Sequence, residues 1–104
     1  MSSPSDQTPY KLIFFVPPSS LTKCKSAIFN TSLCGVFPLP ASANTIGYTN
    51  VCWETRGTGQ FTPGPDSTPD IGERGKLTVL EEVRVEVQIR GRENVKMVVE
   101  VLKR

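Results

Sequence analysis

Apolar and polar residues alternate most cleanly between Leu80 and Arg90. Val83, Val85, Val87 and Ile89 fall on one side, and Glu82, Arg84, Glu86, Gln88 and Arg90 on the other. A period of two belongs to a strand with one buried face. The valines are therefore expected to pack on helices, and the charges to meet solvent or a neighbouring subunit. Tyr10 to Val16 reads differently, as a nearly continuous apolar run stopped by Pro17-Pro18. Such a run predicts a central strand buried on both faces. Leu21, Cys24, Ala27 and Ile28 then recur at helical spacing, with Ser19 or Ser20 placed to cap the helix and Gly35 to end it. A second amphipathic helix follows Gly91, marked by Val95, Val98, Val99 and Leu102. It closes on Lys103-Arg104, cations suited to a helix C-terminus.

The middle of the chain is harder to read. Residues 36–45 show no period and are punctuated by prolines, which predicts a loop. From Ile46 to Phe61 the chain looks extended, with Tyr48, Val51, Trp53 and Phe61 as strand formers. Gly57 and Gly59 interrupt it and suggest a bulge or bend. A turn-rich excursion spans residues 62–70, and Ile71 to Leu77 returns the chain. The order is strand, helix, long strand, strand, helix. It predicts an α+β fold of ferredoxin-like type, βαββα, with the final strand missing. Residues 1–9 read as a polar, disordered arm and residues 10–104 as one domain.

Composition narrows the function classes. A chain of 104 residues with 38% hydrophobic and 21% charged content is an ordinary globular domain. No apolar run approaches the roughly 18 residues of a membrane span, and no signal peptide is visible. Net charge is +2, too little to argue for nucleic acid. Before residue 53 the only charges are Asp6, Lys11, Lys23 and Lys25, and the later half carries both signs equally, as a solvated face would. The three cysteines, Cys24, Cys34 and Cys52, have no CxxC spacing, and there is no histidine. This argues against a disulfide framework and a metal site, and points to a reducing, cytoplasmic setting. It also removes the commonest general base, so no catalytic residue and no cofactor is assigned.

Several segments together resemble a known family. YKLIFFVP, Tyr48 and Cys52 before GTGQFTPG, Ile71-Gly72-Glu73, Gly75-Lys76-Leu77, EEVRVEV and GRENVKMVVEVLKR are similar to the CutA-like, PII-like (YqfO-type) domain of the NGG-interacting-factor proteins. Those are dinuclear-metal proteins often labelled GTP cyclohydrolase type 2 homologues. The resemblance covers residues 10–104. It implies a CutA/PII-like fold with a long hairpin, and assembly as a trimer through sheets and hairpins, with a dimer as the alternative. A protein partner other than itself is a further option. The family usually continues into a His-Pro-Tyr-Glu-Glu strand, before which these residues end. It often has a histidine where Val51 stands, and a more compact turn at 36–45. The first two departures remove the histidines a metal site would need. The first also leaves the fold without the strand that usually completes the sheet, which implies either a shortened gene product or a sheet completed by another chain. A non-catalytic assembly or regulatory module is the leading expectation. A nucleotide or anion sensor is the alternative, and a GTP cyclohydrolase type 2-like activity stands behind both.

Each motif has a chemical and a plain reading. By analogy with the ligand loops of PII-like proteins, Gly57, Thr58 and Gly59 with Gly72, Gly75 and Lys76 could cradle a phosphate, since glycines let backbone N–H groups approach an anion. Neither run opens a helix, so the plain reading is turns and bulges shaping a hairpin. Cys34 and Cys52 are a thiol pair or two small buried hydrophobes. Glu81, Glu82 and Glu86 are paired carboxylates or, with Arg84 between them, an ion-pair ladder. Trp53, the only tryptophan, stacks on a ligand or fills a core or interface.

Overall fold

The computed structural model describes residues 6–39 and 42–103. The elements in chain order are β1 (Pro9–Val16), a 3-10 turn (Pro18–Ser20), α1 (Leu21–Phe29), β2 (Phe37–Leu39), β3 (Ser42–Tyr48), β4 (Trp53–Phe61), β5 (Thr78–Arg90) and α2 (Arg92–Leu102). The fold is α+β with two antiparallel sheets, one of order β1-β5-β4 and one of β2-β3.

β5 is the centre of the larger sheet, and its period of two explains the core. Val83, Val85, Val87 and Ile89 are all buried on one face. Ile28 of α1 and Val98 of α2 meet Val87, Ile89 and Cys34 in one cluster, so both helices lie on that face. A second cluster joins Val16 and Leu21 to Val83 and Val85. β1 runs antiparallel to β5 with Phe14 opposite Val85 and Val16 opposite Val83, as side-by-side placement of these strands requires.

β1 itself departs from the expected central strand. It lies at the edge of the sheet. Leu12, Phe14 and Val16 face the helices, but Ile13 is 40% and Phe15 60% exposed on the other side. The continuous apolar run thus reflects two different surfaces, one covered by helices and one bare among the described residues.

The helix ends also differ from expectation. Neither Ser19 nor Ser20 caps α1 by its side chain, because the Pro18–Ser20 turn leads straight into the helix. Gly35 does not end α1. Asn30 is the C-cap, and Ser32 takes the left-handed conformation with φ of 60°. Thr31 secures this turn, its hydroxyl donating to the Ile28 carbonyl at 2.6 Å and accepting from the Leu33 N–H at 3.1 Å. Gly35 is instead a bridge: its N–H donates to the Gln88 carbonyl at 2.9 Å, and its carbonyl accepts from Val51 at 3.0 Å. For α2, Gly91 is the N-cap with φ of 90°, a conformation that L side chains rarely adopt. Asp6, placed in the polar arm by the sequence pattern, accepts the Arg92 N–H at 3.0 Å, and Thr8 accepts the Gly91 N–H at 2.9 Å. These bonds to backbone donors lower the Asp6 pKa, that from Arg92 first. Residues 1–5, the rest of the expected arm, and Arg104 lie outside the described residues.

Two expectations for the middle of the chain are corrected. The loop expected over 36–45 contains β2 and most of β3, paired with register shifts about Pro38. Pro38 lacks a backbone N–H, which accounts for the poor regularity. The single extended segment from Ile46 to Phe61 is broken at residues 49–52, and β4 begins at Trp53. No bulge occurs at Gly57 or Gly59, since pairing with β5 is continuous from Trp53↔Glu86 to Phe61↔Thr78.

Candidate functional site

The helix-free face of the larger sheet is where chemistry and recognition are open to solvent. The register sets its rows. Ile13, Glu86 and Trp53 lie side by side, followed by Phe15, Arg84 and Thr55. Lys11 stands opposite Gln88, Gly57 opposite Glu82, and Gly59 opposite Leu80. Trp53 is 66% exposed. Its indole N–H donates to the Thr55 hydroxyl at 2.9 Å, which orients the ring along β4. Glu86 accepts from the Arg84 guanidinium at 2.8 Å, and the Lys11 ammonium stands 4.0 Å from the same oxygen. Of the ladder expected over Glu82, Arg84 and Glu86, only the Arg84–Glu86 pair forms among the described residues, and Lys11 takes the place expected of Glu82. Glu81 does not share it, because it pairs with Arg56 at 3.0 Å near the hairpin end.

Two depressions mark this face. The larger, about 520 Å³, lies between β1, β5 and the start of β4, with Phe37 and Val51 on its flank and Trp53, Lys11, Glu86 and Gln88 in its lining. Gly35 builds that flank by tying the Val51 segment to Gln88. The smaller, about 210 Å³, is lined by Phe15, Thr55, Gly57, Gly59, Glu82 and Arg84 among others. A Cβ on Gly59 would fall on the Glu82 carboxylate, so the glycine makes room for that side chain.

The glycine-rich cradle is only partly assembled. Gly57, Thr58 and Gly59 line the smaller depression, and Gly72, Gly75 and Lys76 do not. The latter three lie in the 62–77 connection, where Gly72 and Gly75 take positive φ to make turns. The Gly75 N–H donates to the Pro63 carbonyl at 2.8 Å, and Lys76 is paired with Glu73 at 2.9 Å. Phe37 and Lys11 were not among the sequence candidates. Phe37 fell in a segment without a period, and its meeting with Trp53 depends on the long-range bridge through Gly35.

The cysteines are free, and Cys34 is 2% exposed. Burial raises its thiol pKa to about 11, and the nearby Cys52 adds to the rise. That favours the small-hydrophobe reading of Cys34 over a reactive thiol. Among the described residues no group of three or more His, Cys, Asp or Glu converges as a metal site would, and no helix is long and apolar enough to cross a membrane.

No family model matches the chain. It is 36% identical over 81 residues to a GTP cyclohydrolase 1 type 2 homolog of Listeria innocua, covering 75% of this chain and 19% of that protein. A protein of the same description from Halalkalibacterium halodurans is 30% identical over 95 residues, covering 90% of this chain and 23% of the relative. The chain therefore spans about a fifth of the length of these relatives. Among solved structures, a Bacillus cereus protein related to NIF3 superposes with a TM-score of 0.65 at 22% identity, over 98% of this chain and 23% of the other. That likeness shows a shared fold. Sequence likeness and fold likeness together support kinship with the NIF3 family.

Proposed function

We propose that the chain is a non-catalytic, self-assembling module of CutA/PII-like type, related to one domain of the longer NIF3-family proteins. The antiparallel order β1-β5-β4, with both helices on one face, supports a ferredoxin-like core. The observation that carries the reading is the helix-free face. Ile13, Phe15 and Trp53 stand exposed there in adjacent rows, beside the Arg84–Glu86 pair. Apolar side chains clustered on a sheet face mark an interaction surface. β4 adds an edge of nine residues, all but Gly59 exposed and, among the described residues, unpaired on its outer side. Natural proteins cover such edges. A closed ring of three copies covers face and edge without open-ended growth, and a dimer is the lesser option.

Phe15→Glu tests which surface is used. The side chain is exposed in the single chain, so the variant keeps its fold by circular dichroism. Sedimentation velocity should show the parent as an oligomer and the variant as a monomer. Unchanged sedimentation of a folded Phe15→Glu protein would reject this face as the interface.

The larger depression favours a second reading, a small-ligand sensor. Its volume of about 520 Å³ and its apolar walls with a few polar groups suit a small molecule. A thermal-shift screen with nucleotides and other anions tests it, since a ligand at ~100 times its dissociation constant adds about 2.7 kcal/mol.

A further inference from the structure

We infer that the larger depression binds a small flat aromatic molecule bearing one anionic group, and that Lys11 is the residue that recognises the charge. The inference rests on the small-ligand reading, in which Trp53 and Lys11 stay open to solvent rather than under a second copy, and names the ligand class for it.

The walls argue for the flat aromatic body. Phe37 and Trp53 both line the volume of about 520 Å³, with Val51 and Val87 adding apolar surface. The hydrogen bond from the Trp53 indole to Thr55 at 2.9 Å ties the ring to β4 while two thirds of the residue stays exposed. An oriented, exposed indole offers a stacking surface at little entropic cost.

The polar groups argue for the anion. The charged and amide side chains in the lining of the depression are Lys11, Glu86 and Gln88. Glu86 is already engaged by Arg84 at 2.8 Å. Lys11 sits 4.0 Å from the same carboxylate oxygen, in the outer position, with its side chain 65% exposed. Its charge is therefore largely available at the rim. Gln88 is directly opposite Lys11 in the register and supplies an amide donor on the same face. An ammonium and an amide side by side suit a carboxylate or sulfonate. Glu86 close by disfavours a second negative group on the ligand.

The test uses 1-naphthoate and the neutral 1-naphthylmethanol, with emission from Trp53, the only tryptophan, as the readout. Naphthoate should quench Trp53 saturably and more tightly than the alcohol. Lys11→Met should weaken naphthoate about fivefold to tenfold, where tenfold corresponds to 1.4 kcal/mol, and leave the alcohol unchanged. Lys11→Arg should retain most of the affinity. Equal binding of the two compounds, or of naphthoate to parent and Lys11→Met, would overturn the inference while leaving a small-ligand site in place. Absence of saturable quenching by either compound at millimolar concentration would overturn the inference and the small-ligand reading of this depression together.

Discussion

Val85 and Cys34 show how single side chains tie this fold to its conditions. Val85 is fully buried at the centre of β5, with Phe14 opposite it on β1. Val85→Asp would place an unpaired charge where no partner is within the core. That costs several kcal/mol, comparable with the ~5–15 kcal/mol stability of a domain. The variant should be unfolded by circular dichroism, and a fully folded Val85→Asp protein would contradict the assignment of β5's buried face. Cys34 makes a gentler prediction. Its folded pKa of about 11 exceeds the ordinary 9.0, so the folded state holds the thiol proton more tightly than the unfolded chain. The thiol's contribution is complete below pH 9 and is lost as the pH rises toward 11. Between those values the parent should lose on the order of 1–2 kcal/mol more than Cys34→Ala, as read by urea denaturation. Parallel pH profiles for the two proteins would contradict a buried, proton-holding Cys34.

Strands and helices differed in how well the pattern of residues announced them. β5 and α2 were legible because one face of each is covered by a single continuous core, so their apolar residues keep a strict period. β1 announced its existence but not its place. Ile13 and Phe15 are apolar although no helix covers them, and a strand packed on a neighbouring copy would look the same as one buried within its own chain. β2 and β3 were illegible, because their pairing shifts register about Pro38 and leaves little periodic signal. Half of the candidate site was legible for a related reason. Trp53 stands out by its type, whereas Lys11 joins it through the pairing of β1 and β4 with β5, and Phe37 lies two residues from Gly35, which bonds Gln88 and Val51. β4 itself carries a test. A Cβ on Gly57 meets nothing within 4 Å, and its backbone is ordinary extended strand. Gly57→Val should therefore stabilise the monomeric fold by about 0.5–1 kcal/mol, since it narrows the unfolded ensemble and suits a strand. If a ligand or a neighbouring copy approaches that backbone closely, the same variant weakens binding or assembly. Thermal unfolding combined with sedimentation separates the effects, and a destabilised monomer would contradict the open strand surface at Gly57.

At the scale of the molecule, the fold is lopsided. Both helices cover one face of the sheet, and the other carries Ile13, Phe15 and Trp53 in the open. The principal extents of 54 × 28 × 19 Å describe an elongated body, with the long β4–β5 hairpin contributing to its reach. A small domain of this shape buries a limited core by itself, and the proposed association would add to it. The most direct measurement is multi-angle light scattering on the 104-residue chain across micromolar concentrations. A mass three times the 11.4 kDa of one chain is expected, and a mass twice that value would keep the covered face and edge but reject the ring of three. A stable 11.4 kDa species throughout would contradict the claim that this face is built for a second copy.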